Sequence, residues 1–99
     1  MKRQTQEEIF DETVAQMRTI IFSKNEDYAN EDTLSNFKLA GAIIGLTPEM
    51  NCLNHIATKL ARLGVLLNTT TEPNNESIDD SLHDLANYAI LLKMIRRDK

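Results

Sequence analysis

Apolar residues recur at intervals of three or four along most of the chain, which is the spacing of amphipathic α-helices. Residues 5–8 have the form of a capping box and predict a first helix that begins at Thr5 and ends near Lys24. A second helix is predicted between Thr33, a capping residue, and Gly45, which can adopt the left-handed conformation that ends helices. The apolar stripes of these two helices are Ile9, Phe10, Val14, Met17, Ile20 and Ile21, and Leu34, Phe37, Ala40, Ile43 and Ile44.

Two longer helices follow. Thr47 at the cap and Pro48 at the first helical position predict the start of the third helix. Ser77, with Asp80 three residues later, predicts the start of the fourth, and the polar residues 68–75 between the two helices predict a mobile connection. No stretch alternates apolar and polar residues as a strand would. We therefore expect an all-α fold, a small four-helix bundle-like domain whose two long C-terminal helices are antiparallel.

The composition limits the possible functions. With 99 residues, 41% of them hydrophobic, the chain fits a single domain spanning residues 1–99, and so small a domain often gains from self-association, so a homo-oligomer is expected. A net charge of -4 argues against a nucleic-acid partner. Cys52 is the only cysteine, which excludes an internal disulfide and suggests a packed thiol. Because no apolar run resembles a signal or a membrane span, we expect a cytoplasmic protein without a membrane partner.

Glycine is scarce and suggests structural roles. The chain has three glycines and no glycine-rich phosphate loop. We expect Gly41 and Gly45 to pack or end a helix, and Gly64 to allow close approach of two helices.

Two rows of polar residues lie at helical spacing on the last two helices. The fourth helix carries Asp80, Asp84 and Asn87, with Tyr88 beside them, and the third carries His55, Lys59 and Arg62. If these faces meet, an acidic row confronts a basic row. Such an arrangement is either an ion-pair seam that fixes helix register or a polar pocket, and the spacing leaves both open.

The segment before and within the second helix is rich in groups that bind nucleotides. Lys24, Asp27, Tyr28, Asn36 and Lys38 provide two cations, a carboxylate, a flat ring and an amide. Cations neutralise phosphate, a ring stacks on a base, and an amide reads a donor and acceptor pair on its edge. The alternative is structural: the ring covers the core, the amide makes a turn and the lysines are solvated.

Carboxylates near the start of the fourth helix are candidate ligands for Mg²⁺. Such side chains can hold the ion while it binds phosphates and activates water. The candidates are Glu76, Asp79, Asp80 and Asp84. Carboxylates at this position are also favoured by capping and by the helix dipole alone.

Four ordered blocks of the chain resemble a known family. Residues 24–28, 34–38, 59–63 and 76–88 resemble the phage and prophage family called nucleotide modification associated domain 1. The resemblance implies an all-α protein of phage origin that handles nucleotides in the cytoplasm of an infected or lysogenic bacterium.

The pattern is also distantly similar to the all-α NTP pyrophosphatases, the MazG-like group. That resemblance implies carboxylates on two helices that bind Mg²⁺, and cleavage of a nucleoside triphosphate between its α and β phosphates. Glu76 and Asp79 match the form of the second carboxylate motif, but the third helix carries His55, Lys59 and Arg62 where the first should lie. A cationic set favours direct phosphate binding over binding through a metal.

Three hypotheses follow. The first is a protein that binds a phosphorylated nucleotide, for nucleotide metabolism or modification or to sequester a nucleotide defence signal. The second is a Mg²⁺-dependent nucleotide pyrophosphohydrolase. The third is a helical protein–protein interaction module in which the polar rows are structural.

Overall fold

The computed structural model describes residues 1–26, 34–69 and 75–98, with the side chains of residues 1–22, 34–69 and 77–98. Within these residues the chain forms four helices and no strand, which confirms the all-α prediction. The helices are α1 (Arg3–Glu26), α2 (Ser35–Ile43), α3 (Pro48–Asn68) and α4 (Asn75–Arg97). None of the helices in this part of the chain combines the length and apolar character needed to span a bilayer.

Helix α1 begins two residues earlier than its capping-box pattern predicts. The amide of Gln6 donates to the carbonyl of Lys2 at 3.1 Å, and the guanidinium of Arg3 contacts the carboxylate of Glu7 at 2.9 Å. This i,i+4 ion pair supports a helix that begins on the N-terminal side of Thr5, so Thr5 lies inside the first turn of α1. The prediction of a cap at Thr5 is therefore wrong.

The connection between α2 and α3 confirms the local predictions. Gly45 has a φ of 76°, and the amide of Leu46 donates to the carbonyl of Gly41 at 2.7 Å, so α2 ends in a complete Schellman motif. The hydroxyl of Thr47 then accepts a hydrogen bond from the amide of Met50 at 3.1 Å, which caps α3. We call residues 41–47 the corner.

The other two predicted caps have different outcomes. Thr33 lies outside the described residues, and Leu34 occupies the N-cap position of α2 without a side-chain hydrogen bond. Helix α4 begins at Asn75, so Ser77 lies inside it and the prediction of a cap at Ser77 is wrong. The earlier start places the backbone of Glu76 in the first turn of α4.

Helices α3 and α4 pack against each other along their length, as predicted, and they are antiparallel. Lys59 contacts Asp84, whereas His55, one turn earlier on α3, contacts Tyr88, one turn later on α4. Helix α2 packs on α3, and α1 packs on α4. The main core cluster contains Leu34, Cys52 and Ile95, with Phe37, Ile56, Tyr88, Leu91 and Leu92 packed around them.

The two helix-packing glycines behave differently. Gly41 is buried, and a Cβ atom there would lie 2.7 Å from the carbonyl oxygen of Leu46 and 3.3 Å from that of Thr47. The corner therefore requires glycine at this position. A Cβ at Gly64 would meet nothing within 4 Å, so the predicted close approach of helices at Gly64 is wrong.

Many residues of the predicted apolar stripes are exposed rather than buried. On α1 the stripe is partly buried at Met17, Ile20 and Ile21, but residues 1–12 are exposed throughout. The exposed apolar side chains of the other helices include Ile43, Met50, Leu53, Leu60, Val65, Leu67 and Leu82. Helical spacing thus identified the apolar faces correctly but could not show which of them this chain covers.

Candidate functional site

The acidic and basic rows meet at one ion pair. The ammonium of Lys59 lies 2.9 Å from a carboxylate oxygen of Asp84, and the two side chains are 28% and 30% exposed. This contact exists because the antiparallel packing of α3 and α4 brings the middle of one row to the middle of the other. The half-buried setting screens the pair less than a surface pair would be screened.

Aromatic rings lie next to this ion pair, one helical turn away. The rings of His55 and Tyr88 stack with centroids 5.3 Å apart and planes 11° from parallel. The ring of Phe37, on α2, meets both edge-on, at 6.1 and 6.4 Å. Because His55 is exposed and Tyr88 only partly buried, the cluster reaches the protein surface.

Burial and charge alter the acidity of two groups in this region, the Tyr88 phenol and the Cys52 thiol. Burial raises the pKa of the Tyr88 phenol above its ordinary value of 10.0; the nearby Asp84 carboxylate adds to this rise and Lys59 opposes it. Cys52 is fully buried, and its thiol donates to the backbone carbonyl of Tyr88 at 3.4 Å. Burial raises the pKa of this thiol too, and its complete burial makes Cys52 a packed thiol, as the sequence suggests.

Asn87 is the most unusual polar residue of this region. It lies one turn after Asp84 on α4 and is only 4% exposed, yet neither its amide nitrogen nor its carbonyl oxygen has a hydrogen-bond partner in the described structure. An unpaired buried polar group costs about 1–3 kcal/mol. The other buried asparagine, Asn51, donates to the backbone carbonyl of Phe37 at 3.3 Å. We call His55, Lys59, Asp84, Asn87 and Tyr88 the polar seam.

The remaining predicted site residues are distributed around the polar seam and away from it. Arg62 is exposed, about one turn beyond Lys59, and Asp80 is exposed, one turn before Asp84. Asn36 is exposed on α2. Arg62 and Asp80 therefore extend the polar seam by about one turn.

Lys38 is not near the polar seam. Its ammonium lies 2.8 Å from the carboxylate of Asp98, just beyond the end of α4. At the helical rise per residue, Asp98 lies about 21 Å along α4 from Asp84. The structure therefore does not bring Lys38 together with Lys59.

Several predicted site residues lie outside the described side chains. Asp27 and Tyr28 lie outside the described residues altogether. Lys24 is within α1 and Glu76 within α4, but only their backbone positions are described. Their predicted roles stay predictions.

The predicted carboxylate ligands do not converge among the described side chains, which contain no group of three or more potential ligands that could hold a metal ion. Asp79 and Asp84 are five positions apart on α4 and project in different directions. The Asp84 carboxylate also contacts Lys59, a cation that competes with a metal. Binding of Mg²⁺ stays a prediction that depends on Glu76 or on a phosphate supplied by a ligand.

Sequence reasoning placed His55 in the basic row but did not recognise it as part of the site. Its stacking on Tyr88 follows from the same four-residue offset that pairs Lys59 with Asp84: in antiparallel helices, a step back on one matches a step forward on the other. Matching the two rows in this register would have identified the pair.

A scan of protein-family models and searches of curated proteins and of solved structures found no match to this chain.

Proposed function

We propose that this protein binds a phosphorylated nucleotide at the polar seam and does not cleave it. The observation that carries the proposal is Asn87, a buried amide with both a free donor and a free acceptor. A nucleobase edge presents a complementary donor and acceptor, so a base that reached Asn87 would satisfy both atoms.

The surroundings of Asn87 supply the other two kinds of contact that a nucleotide needs. His55 and Tyr88 provide flat rings at the surface, where base stacking contributes about 1–3 kcal/mol. Lys59 and Arg62 provide positive charge on α3, and a phosphate would compete with Asp84 for the Lys59 ammonium.

The wider setting follows from the sequence resemblance. It suggests a phage-derived role in the bacterial cytoplasm, either in nucleotide metabolism or modification or in sequestering a nucleotide defence signal. In this proposal Lys24, Asp27 and Tyr28 complete the site, and the protein acts as a homo-oligomer.

The test is a thermal-shift screen of ribo- and deoxynucleotides, with and without Mg²⁺, followed by titration calorimetry on the hits. A ligand at 100 times its Kd stabilises the folded protein by about 2.7 kcal/mol. For a domain of this size that corresponds to a rise in Tm of roughly 10–20 °C. If no nucleotide raises the Tm, the proposal is wrong.

Asn87→Leu and Asn54→Leu form a matched pair of variants for this screen. Asn54 is an exposed asparagine on α3. We expect Asn87→Leu to lose the ligand-induced shift and Asn54→Leu to retain it. Equal binding by the two variants would contradict the role given to Asn87.

The same mixtures distinguish binding from catalysis. After incubation, chromatography and mass spectrometry of the bound and free fractions should recover intact nucleotide on the protein. Accumulation of monophosphate and pyrophosphate, abolished by EDTA and by Asp84→Ala, would instead establish a Mg²⁺-dependent pyrophosphohydrolase.

A further inference from the structure

Helix α1 has one continuous apolar stripe, of which this chain covers only half. The residues of its second half, Met17, Ile20 and Ile21, are partly buried, and α1 packs on α4. The same stripe continues toward the N-terminus through Ile9, Phe10 and Val14, which are exposed. We call these three residues the α1 patch. A water-exposed apolar stripe of this kind is typical of a surface covered by another molecule.

The surface area of the whole chain supports this interpretation. The accessible surface is 7693 Å², whereas a compact monomer of 11.3 kDa exposes about 5,700 Å². The radius of gyration is 15.6 Å, against about 13 Å for a compact domain of this length. The excess of about 2,000 Å² is more than the roughly 800 Å² per partner that a standard interface buries.

The charges beside the α1 patch identify the kind of surface that would cover it. Acidic side chains occupy the same turns of α1. At about 100° per residue, Glu7 borders Val14, Asp11 and Glu12 lie on the two sides of the patch, and Glu8 lies opposite it. All four are exposed. A partner surface should therefore combine apolar contact with positive charge.

Such a surface lies near the end of α4. A shallow, open concavity there is lined by five residues from one face of α4, Ala89, Leu92, Lys93, Arg96 and Arg97, and we call it the basic groove. No ion pair of the described residues involves its three cations, and all three are exposed. The basic groove thus offers an apolar floor with positive charges around it, which complements the α1 patch.

We propose that the protein forms a two-fold symmetric dimer in which the α1 patch of each copy docks into the basic groove of the other. A second copy is favoured over a foreign partner because both complementary surfaces belong to the same chain. The reciprocal exchange closes the assembly at two subunits, since each patch occupies the partner's groove.

Charge reversal in two separate variants tests the pairing by analytical ultracentrifugation. Asp11→Lys with Glu12→Lys makes α1 basic, and Lys93→Glu with Arg96→Glu makes the groove acidic. We expect the wild type to be a dimer, each variant alone to be at least about tenfold weaker in self-association, and an equimolar mixture of the two to dimerise again. Circular dichroism of each variant checks that it remains helical.

Three outcomes would overturn the proposal. The first is a monomeric wild type at concentrations of about 100 μM, where even a weak dimer is populated. The second is a groove variant that dimerises as well as the wild type, which would indicate α1 pairing with α1. The third is a mixture that stays monomeric although both variants are folded.

Phe10→Lys and Val65→Lys provide a matched test of the apolar contact. Phe10 on α1 and Val65 on α3 are each 68% exposed, so neither substitution removes a buried side chain. We expect Phe10→Lys to weaken dimerisation by about tenfold or more and Val65→Lys to leave it unchanged. Equal weakening by both variants would place the interface elsewhere.

Discussion

Asn87→Leu should make the ligand-free protein more stable, which is the opposite of what most substitutions at buried positions do. Asn87 is 4% exposed, and both of its polar side-chain atoms lack partners in the described structure. Folding therefore removes the amide from water without replacing its hydrogen bonds. Leucine occupies a similar space and carries no such penalty.

The magnitude follows from the unpaired amide. A buried polar group without a partner costs about 1–3 kcal/mol, and leucine removes this cost. Because leucine does not have the planar shape of an amide, imperfect packing cancels part of the gain. We expect the free energy of unfolding to rise by about 1–2 kcal/mol, which raises the Tm by roughly 4–16 °C.

Urea unfolding followed by circular dichroism measures this change, and Asn51→Leu is the matched control. Asn51 is 3% exposed and donates to the carbonyl of Phe37, so its replacement loses a hydrogen bond and should lower the free energy of unfolding by about 0.5–1.5 kcal/mol. A loss of stability in Asn87→Leu as large as that in Asn51→Leu would refute the reasoning, because it would mean that Asn87 is already paired.

Three further predictions concern the corner, the ion pair and the Tyr88 phenol. Gly41→Ala should lower the free energy of unfolding by about 1–3 kcal/mol in thermal or urea melts because its Cβ would meet backbone carbonyls, whereas Gly64→Ala should raise it by about 0.5–1 kcal/mol through helix propensity. A double-mutant cycle on Lys59→Ala and Asp84→Ala, measured by urea unfolding, should give a coupling of about 0.5–1 kcal/mol, and additive effects would contradict the contact. The pKa of Tyr88 is raised in the folded state, so its contribution to stability is present below the ordinary value of 10.0 and is lost as the pH rises through the folded pKa; Tyr88→Phe should make the alkaline decline measured by urea unfolding shallower.

Local features of the fold were predictable from the sequence, whereas contacts between helices were not. Gly45 and Thr47 were identified correctly because a left-handed glycine and a capping hydroxyl act within one turn of backbone. The caps predicted at Thr5 and Ser77 were wrong because a helix extends toward the N-terminus beyond a capping pattern when earlier residues also favour the helix. The close approach of two helices predicted at Gly64 was wrong because such an approach depends on how all the helices pack.

The candidate site also combines features that the sequence predicts with features that depend on how the helices pack. Helical spacing placed Lys59 and Asp84 in two rows that confront each other only if the two helix faces meet, and the structure brings the two side chains into contact. The unpaired state of Asn87 could not be predicted, since it depends on which atoms surround the amide after the helices pack. The register that stacks His55 on Tyr88 could have been found by aligning the two rows.

The corner between α2 and α3 fixes the orientation of these two helices relative to each other. Its turn is short and closed by hydrogen bonds at both ends, from Leu46 to Gly41 and from Met50 to Thr47. Such a connection leaves little freedom for α2 to rotate independently of α3. Phe37 lies on α2, one turn from Gly41. The geometry of the corner therefore determines where its ring lies relative to the rings of His55 and Tyr88. A substitution in the corner would move a ring of the candidate site without touching any residue that contacts a ligand.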